Sequence, residues 1–239
     1  MTTKVLWLDE YERAARLAPG LIALLPLPIL VTAFGLKRNP VLAVLVSLVV
    51  AVGGPLVLAK YVRARGRSLE RKLYQEWGGP PTTLLLSPTG TSAADAVRTQ
   101  RRANVERVSQ QVLPTSPLPN DMAAQQVYKA AVSTLRQKTY DHAAFPLVFE
   151  ENKSYGFERN ALAVRAEGLV MAILGFLVAL AGSVLAALGH LDANQPALIV
   201  AGLVLLCLVG FWIAWPTKKR VRQAGDVYAE QLLDAAATL

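Results

Sequence analysis

Charged residues are absent from four long stretches of this sequence, and their absence argues against an ordinary soluble protein. The stretches 17–36, 39–59, 168–191 and 193–217 contain no Asp, Glu, Lys or Arg. Each reaches the roughly 20 residues that a helix needs to cross a bilayer, and none has the polar stripe of a soluble helix. The sequence therefore predicts an all-α membrane protein, with four transmembrane helices in two hairpins and a mainly helical cytoplasmic insert.

Cysteine and histidine are scarce as well. The chain has 1 cysteine, Cys207, and 2 histidines, His142 and His190. A lone cysteine excludes an intrachain disulfide, and the sequence contains no paired metal-ligand motif, phosphate-binding loop or nucleophile motif. The neighbouring acids Glu150 and Glu151 are typical of a solvated surface. We therefore expect a protein that is not an enzyme, with no catalytic residue, no metal and no cofactor.

Positive charge is concentrated beside the apolar stretches. Six Lys or Arg residues lie between 60 and 72, and four lie between 218 and 222. The connection between the third and fourth stretches has none, whereas the first short connection has Lys37 and Arg38. Because Lys and Arg favour the cytoplasmic side, both termini and the insert are predicted to be cytoplasmic.

These features divide the chain into four parts. Residues 1–59 are predicted to form the N-terminal segment and transmembrane hairpin 1, and 60–168 a basic helical cytoplasmic domain. Residues 169–215 are predicted to form transmembrane hairpin 2, and 216–239 a cytoplasmic C-terminal helix.

Within the insert, the pattern predicts three helices and two short extended segments. The helices cover 61–77, 93–112 and 122–138, and the extended segments, 82–86 and 145–151, would pair with each other. A further helix is predicted to begin at Ser154 and to run unbroken into the third span. Pro26 in the first span and Pro55 in the second predict kinks.

Small residues form a stripe along the third span. They recur at spacings of 4 and 3 residues, at Gly168, Ala172, Gly175, Ala179, Gly182, Ala186 and Gly189. Small side chains let helix backbones approach closely within a bilayer. The stripe therefore predicts helix packing, either with another span of the same chain or with a neighbouring subunit.

The candidate ligand-binding residues are basic residues and tyrosines of the insert. They are Arg98, Arg101, Arg102, Tyr128, Lys129, Arg136, Tyr155 and Arg159. Arginine together with aromatic residues suits phosphate contacts and base stacking on single-stranded nucleic acid. Solvated helix faces beside lipid show the same pattern, so that alternative stays open. The stretch 145–160 is interpreted either as a packed junction or as a coupler to the third span.

The four-span plan, the basic insert and the stretch 151–160 (ENKSYGFERN) together resemble one known group of proteins. These are the membrane effectors of bacterial anti-phage defence systems that pair a nucleotidyltransferase with a small multi-span protein, and among them the Hailong-type effector. The resemblance implies a channel-like homo-oligomer in the bacterial inner (cytoplasmic) membrane, with a partner nucleotidyltransferase. It also implies a nucleotide ligand, which in the Hailong type is a short single-stranded DNA that holds the effector closed.

We therefore expect an oligomeric channel-like effector in anti-phage defence, embedded in the lipid bilayer. Its gating would depend on a nucleotide or short single-stranded DNA bound to the cytoplasmic domain. The alternative is a structural or scaffolding inner-membrane protein, whose basic insert contacts lipid headgroups or a protein partner.

Overall fold

The computed structural model describes residues 9–35, 39–51, 53–88, 95–115 and 122–239, and these residues form helices without any strand. The α-helices among them are α1 (Ala18–Leu24), α2 (Pro26–Ala33), α3 (Pro40–Ala51), α4 (Gly54–Trp77), α5 (Pro81–Leu86), α6 (Asp95–Ser109), α7 (Met122–Lys138), α8 (Pro146–Ala163), α9 (Arg165–Ala187), α10 (Gln195–Ala214) and α11 (Lys218–Asp234). A π-helical segment, Glu12–Leu17, precedes α1, and a 3₁₀ turn, Ala235–Ala237, follows α11. The predicted all-α class is confirmed.

Two of these helices, α9 and α10, are long and apolar enough to cross a membrane. The number rises to four if each of two bent helix pairs counts as one span. In the first pair, Glu12–Leu24 and Pro26–Ala33 meet at 40°. The second pair joins Pro40–Val49 to Gly54–Leu86. Both bends lie where kinks were predicted, beside Pro26 and Pro55, while Lys37 and Arg38 lie outside the described residues.

The chain divides into two compact units. Unit 1 contains the described residues of 1–68 and 156–217, and unit 2 contains those of 69–155 and 218–239. These boundaries differ from the four predicted parts. The ends of the predicted insert belong to unit 1, whereas the C-terminal helix shares unit 2 with the middle of the insert.

The core of unit 1 is a hairpin of α9 and α10 that packs against α1 and α2. One buried cluster contains Ala23, Val62, Val164, Ala172 and Trp212. A second contains Ala33, Ala179, Leu198, Ala201 and Leu205. Many large apolar side chains of α3, α9 and α10 remain exposed. Such a surface is expected where a helix faces lipid or another apolar partner.

The small-residue stripe lies on the face of α9 that contacts the rest of unit 1. A Cβ atom added at Gly175 would lie 3.0 Å from Pro26 and 3.3 Å from Leu205. One added at Gly182 would lie 2.6 Å from Phe34. Buried positions of the stripe are Gly168, Ala172, Gly175, Ala179 and Gly182, whereas Ala186 is half-buried and Gly189 is exposed. Gly189 lies beyond the end of α9 with a φ of +74°, so its role is to turn the chain.

Unit 2 is a helical domain built from α5, α6, α7, α11 and the ends of α4 and α8. Its fully buried apolar residues include Leu73, Leu86, Val105, Leu113, Leu135, Leu232 and Leu233. Helix α4 ends at Trp77, where Gly78 and Gly79 have φ values of +80° and +148°. This end agrees with the predicted helix 61–77, and α7 has the predicted bounds 122–138.

The two predicted extended segments are wrong. Residues 82–86 belong to α5, and 145–151 lie almost wholly in α8. Each helix has a proline, Pro81 or Pro146, at its first position. Proline suits that position because its fixed φ is helical and its missing N–H would have no partner there. A short apolar run alone does not distinguish a strand from a buried helix.

Three predicted helix boundaries also differ from the structure. Helix α8 begins at Pro146, so Ser154 lies inside it, and the path into α9 is interrupted at Val164, whose φ and ψ are −107° and 13°. Helix α6 ends at Ser109 rather than at 112, because Gln110 adopts a φ of 56°. Residues 93 and 94, the predicted start of that helix, lie outside the described residues.

The helical path is interrupted between α10 and α11, at Pro216, two residues after the end of α10. The carbonyl oxygens near this break accept hydrogen bonds from one arginine. Arg165 donates to the oxygens of Trp212, Ile213 and Pro216 over 2.9, 2.8 and 3.2 Å. The side chain thereby satisfies acceptors that the end of a helix leaves open.

Candidate functional site

Arg102, the most deeply engaged of the predicted ligand residues, binds other parts of unit 2. Its Nη1 donates to the Leu86 carbonyl oxygen at 2.5 Å and to the Tyr128 hydroxyl at 3.2 Å. Its Nη2 donates to the carbonyl oxygens of Leu113 and Pro114 at 3.0 and 2.9 Å. One guanidinium group therefore joins the end of α5, the connection after α6, and α7, and these bonds use donors that a phosphate would need.

The other two arginines of α6 are engaged as well. Arg101 donates two hydrogen bonds to the Asp234 carboxylate, at 2.7 and 3.0 Å, and this contact raises the pKa of Arg101. Arg98 donates to the Pro88 carbonyl oxygen at 2.8 Å and pairs with Asp95 at 3.2 Å. The basic face of α6 thus holds neighbouring segments of unit 2.

The two tyrosines among the predicted ligand residues are buried. Tyr128 has no exposed surface, and its hydroxyl donates to the Pro114 carbonyl oxygen at 3.1 Å. Tyr155 is 6% exposed, and its hydroxyl donates to Glu70 at 2.9 Å. Its ring stacks on Tyr228 with a centroid distance of 6.2 Å. Neither ring is open to a base, so the structure does not support direct stacking on them.

Tyr74 completes this polar cluster. Its hydroxyl lies 3.1 Å from that of Tyr155 and 3.1 Å from a carboxylate oxygen of Glu70. Burial, with the negative charge of Glu70, raises the pKa of Tyr74 to about 12. The cluster joins α4 and α8 within unit 2, and its chemistry is that of a packed, neutral phenol network.

Lys129 and Arg136 are the predicted ligand residues that lie on the surface of unit 2. Both are exposed on α7, seven residues apart and therefore on the same side of the helix. The guanidinium carbon of Arg136 lies 5.9 Å from the centre of the Tyr228 ring. The Arg136 guanidinium also hydrogen-bonds Tyr228, so Lys129 is the one of the two whose charge is available to a phosphate.

Arg159 lies in unit 1 and is 8% exposed. Its Nε donates to Asn160 Oδ1 at 3.3 Å, while Asn160 Nδ2 donates to the Ala15 carbonyl oxygen at 2.5 Å. A Cβ atom added at Gly66 would clash with Asn160 Oδ1. This part of the stretch 151–160 is a buried packing point, and Arg159 belongs to a different unit from the other predicted ligand residues.

An aromatic run, whose members are not among the predicted ligand residues, follows α7. The rings of Tyr140 and His142 have centroids 5.6 Å apart, and His142 stacks on Phe149 at 3.6 Å. Tyr140 is 77% exposed, and Lys153 Nζ lies 4.8 Å from the Phe149 ring centre. The signal in the sequence is a pair of ring residues, Tyr140 and His142, between the predicted helix 122–138 and the predicted extended segment 145–151. We call Tyr140, His142, Phe149 and Lys153 the aromatic run.

The acidic candidates make local contacts. Asp141 Oδ1 accepts from the backbone N–H of Ala143 at 3.0 Å, and Glu150 pairs with Lys153 at 2.7 Å. No group of three or more His, Cys, Asp and Glu side chains with metal-binding geometry occurs in the described part of the chain. The described residues therefore offer no metal centre of this type.

Family models, curated proteins and solved structures give no match to this chain. Within unit 2, the exposed surface of α7 and the aromatic run form the best candidate contact for a ligand, because their charges and rings are accessible.

Proposed function

We propose that this chain is a membrane effector that changes membrane permeability when unit 2 binds a nucleotide or a short single-stranded DNA. The aromatic run is the observation that carries the proposal. Base stacking needs accessible ring faces, and binding to single strands adds positive charge that follows the phosphates. Tyr140 and His142 supply the rings, and Lys129 and Lys138 supply exposed charge nearby along the chain.

The membrane part of the proposal rests on α9 and α10. The stretch 168–191, which contains most of α9, has no charged residue, and neither does the stretch 193–217, which contains α10. The lack of ionisable groups there argues against a proton-coupled carrier, whereas an apolar constriction that gates by dewetting needs none. Several copies of the chain would surround such a pore. The exposed apolar side chains of α3, such as Val41, Val44 and Leu48, are available for contacts between copies.

The sequence resemblance to Hailong-type effectors supports the same reading. On that reading, a partner nucleotidyltransferase supplies the ligand, in the inner membrane of a bacterium and as part of anti-phage defence. Both termini and unit 2 would then be cytoplasmic, as the distribution of Lys and Arg predicts.

One observation favours a second candidate, a scaffolding membrane protein without a ligand. Arg98, Arg101 and Arg102 make hydrogen bonds inside unit 2, so much of the predicted basic surface has a structural role. In that case the exposed charge of α7 would contact lipid headgroups or a protein partner.

The deciding experiment measures binding and leakage with the same full-length protein in vesicles. We expect a fluorescent oligothymidylate to bind, with an affinity that falls steeply as salt increases because counterions are released. Replacing Tyr140 by Ala should weaken binding by roughly 1–3 kcal/mol, the value of one lost stack. Met122→Ala is the matched control, since Met122 is also exposed on unit 2 but carries no ring.

Leakage of a trapped dye should change with the oligonucleotide in the wild type and the control, and much less in Tyr140→Ala. A wild-type protein that binds no oligonucleotide at low salt would contradict the ligand proposal. Binding without any change in leakage would contradict the effector proposal and favour the scaffold.

A further inference from the structure

Two arginine side chains in unit 1 have hydrogen-bond donors without acceptors. Arg16 belongs to the π-helical segment, with a side chain 16% exposed, and Arg63 is half-buried on α4. The Nε atom of each is buried and has no hydrogen-bond partner among the residues described. A buried N–H group without an acceptor costs free energy, so an anion that reached either Nε would stabilise that side chain.

Packing beneath the two arginines fixes their backbones. A Cβ atom added at Gly20 would lie 2.8 Å from Leu58 Cγ and 3.0 Å from Val62 Cγ2, so α1 and α4 are in close contact. Arg16 lies one helical turn before Gly20, and Arg63 directly follows Val62. Both guanidinium groups therefore project from a tightly packed pair of segments rather than from a loose surface.

Electrostatics shows that the arginines are close enough to repel each other. The positive charge of Arg16 lowers the pKa of Arg63, and burial and the positive charge of Arg67 act in the same direction. Glu12 opposes these effects and forms a salt bridge with Arg16. Arg63 is therefore affected by two other arginines and by one carboxylate, so positive charge is in excess around it.

We propose that Arg16 and Arg63 bind the phosphate group of an anionic phospholipid. Arg16 directly precedes the apolar stretch 17–36, and Arg63 follows the stretch 39–59 by four residues, so both lie where a headgroup would be. The planar guanidinium fork matches phosphate oxygens and gives strong, charge-assisted hydrogen bonds. The neighbouring charge of Arg67 disfavours a choline headgroup, so the site selects anionic lipid.

The test measures lipid retention by the full-length protein with native mass spectrometry, using phosphatidylglycerol and phosphatidylcholine as probes. The wild type should retain phosphatidylglycerol in preference to phosphatidylcholine. Arg16→Gln and Arg63→Gln should each weaken this retention about tenfold, as expected for the loss of a charge-assisted hydrogen bond. Arg71→Gln is the matched control, because Arg71 is an exposed arginine two turns further along α4, and it should retain lipid as the wild type does.

A melting curve for each variant shows whether it is folded, and phosphatidylglycerol should raise the melting temperature of the wild type but not of Arg63→Gln. Arg63→Lys, which keeps the charge, should retain part of the preference. Equal retention by the wild type and the Gln variants would overturn the proposal, as would an equal loss in Arg71→Gln. Displacement of the lipid by millimolar inorganic phosphate would overturn the lipid assignment and identify a soluble phosphate as the ligand. The site lies in unit 1, so these outcomes do not depend on the ligand proposed for unit 2.

Discussion

Replacing Arg102 by Met should destabilise unit 2 more than any other change to its exposed or half-buried basic residues. The change removes four hydrogen bonds, to the carbonyl oxygens of Leu86, Leu113 and Pro114 and to the Tyr128 hydroxyl. Leu86 and Leu113 are almost fully buried, so solvent has poor access to the oxygens left behind. A buried acceptor that loses its partner costs about 1–3 kcal/mol. The Leu86 and Leu113 oxygens lose theirs, whereas the Pro114 oxygen keeps the Tyr128 hydroxyl, so two carbonyls at the middle of that range give a total of about 4 kcal/mol.

The assay is thermal unfolding of the full-length protein in detergent, followed by circular dichroism. For a chain of this size, 1 kcal/mol corresponds to roughly 2–4 °C, so Arg102→Met should melt about 8–16 °C below the wild type. Lys129→Met is the matched control. Lys129 is exposed on α7 beside Tyr128, and its replacement should change the melting temperature by no more than about 2 °C.

A third variant tests the mechanism. Tyr128→Phe removes one acceptor of Arg102 and one donor to Pro114, so it should cost about 1–2 kcal/mol. Because the two side chains share partners, the double variant should lose less than the sum of the single losses. The reasoning would be refuted by an Arg102→Met protein that melts within about 2 °C of the wild type, since a ligand-binding arginine without structural bonds behaves in that way.

Three further predictions follow from the structure. Gly175→Leu should lower stability by about 1–3 kcal/mol, because the added side chain overpacks against Pro26. Gly210→Leu is the control, since a Cβ atom there meets nothing within 4 Å, and it should not lower stability. Equal melting temperatures for the two variants would contradict the packing role of Gly175. Since burial raises the pKa of Tyr74 to about 12, against about 10 in the unfolded chain, the folded state holds this proton more tightly, and stability should fall as pH rises from about 10 to 12. Tyr74→Phe should reduce that fall by about 2 kcal/mol, measured by denaturant unfolding at several pH values, and an unchanged pH dependence would exclude the burial argument. In a Cys207→Ser background, a cysteine at 193 should react with an impermeant reagent outside intact cells and one at 100 should not; the opposite labelling would invert the topology.

Apolar length and helix-ending residues explain what could be predicted from the sequence. Helix α4 ends at Trp77 because Gly78 and Gly79 adopt positive φ values, and the sequence Gly-Gly-Pro-Pro predicts this end. The uncharged stretches likewise predict α9 and α10, since their length and composition alone satisfy the requirement for spanning a membrane. These are local properties, which a single sequence displays directly.

The structural contacts of the predicted ligand residues could not be predicted from the sequence, because their partners lie in other segments of the chain. A helical projection places Arg101 on a polar face, but it does not reveal Asp234, which is 133 residues away and accepts its hydrogen bonds. The same holds for Arg102, whose acceptors lie at the end of α5, in the connection after α6 and on α7. A polar face that covers a neighbouring segment and one that faces water have the same periodicity, so only tertiary structure separates them.

The three hydrogen bonds of Arg165 have a consequence for how the last hairpin enters a bilayer. Arg165 begins α9, and its acceptors, including the Trp212 and Ile213 carbonyl oxygens, lie at the far end of α10. For two helices inserted one after the other, this contact can close only when the end of the second has returned to the depth at which the first began. The hydrogen bonds of Arg165 therefore form only when both helices have reached matching depths. A hairpin that stops short leaves a positive charge and several carbonyl groups without hydrogen-bond partners, and such groups cost several kcal/mol each in hydrocarbon.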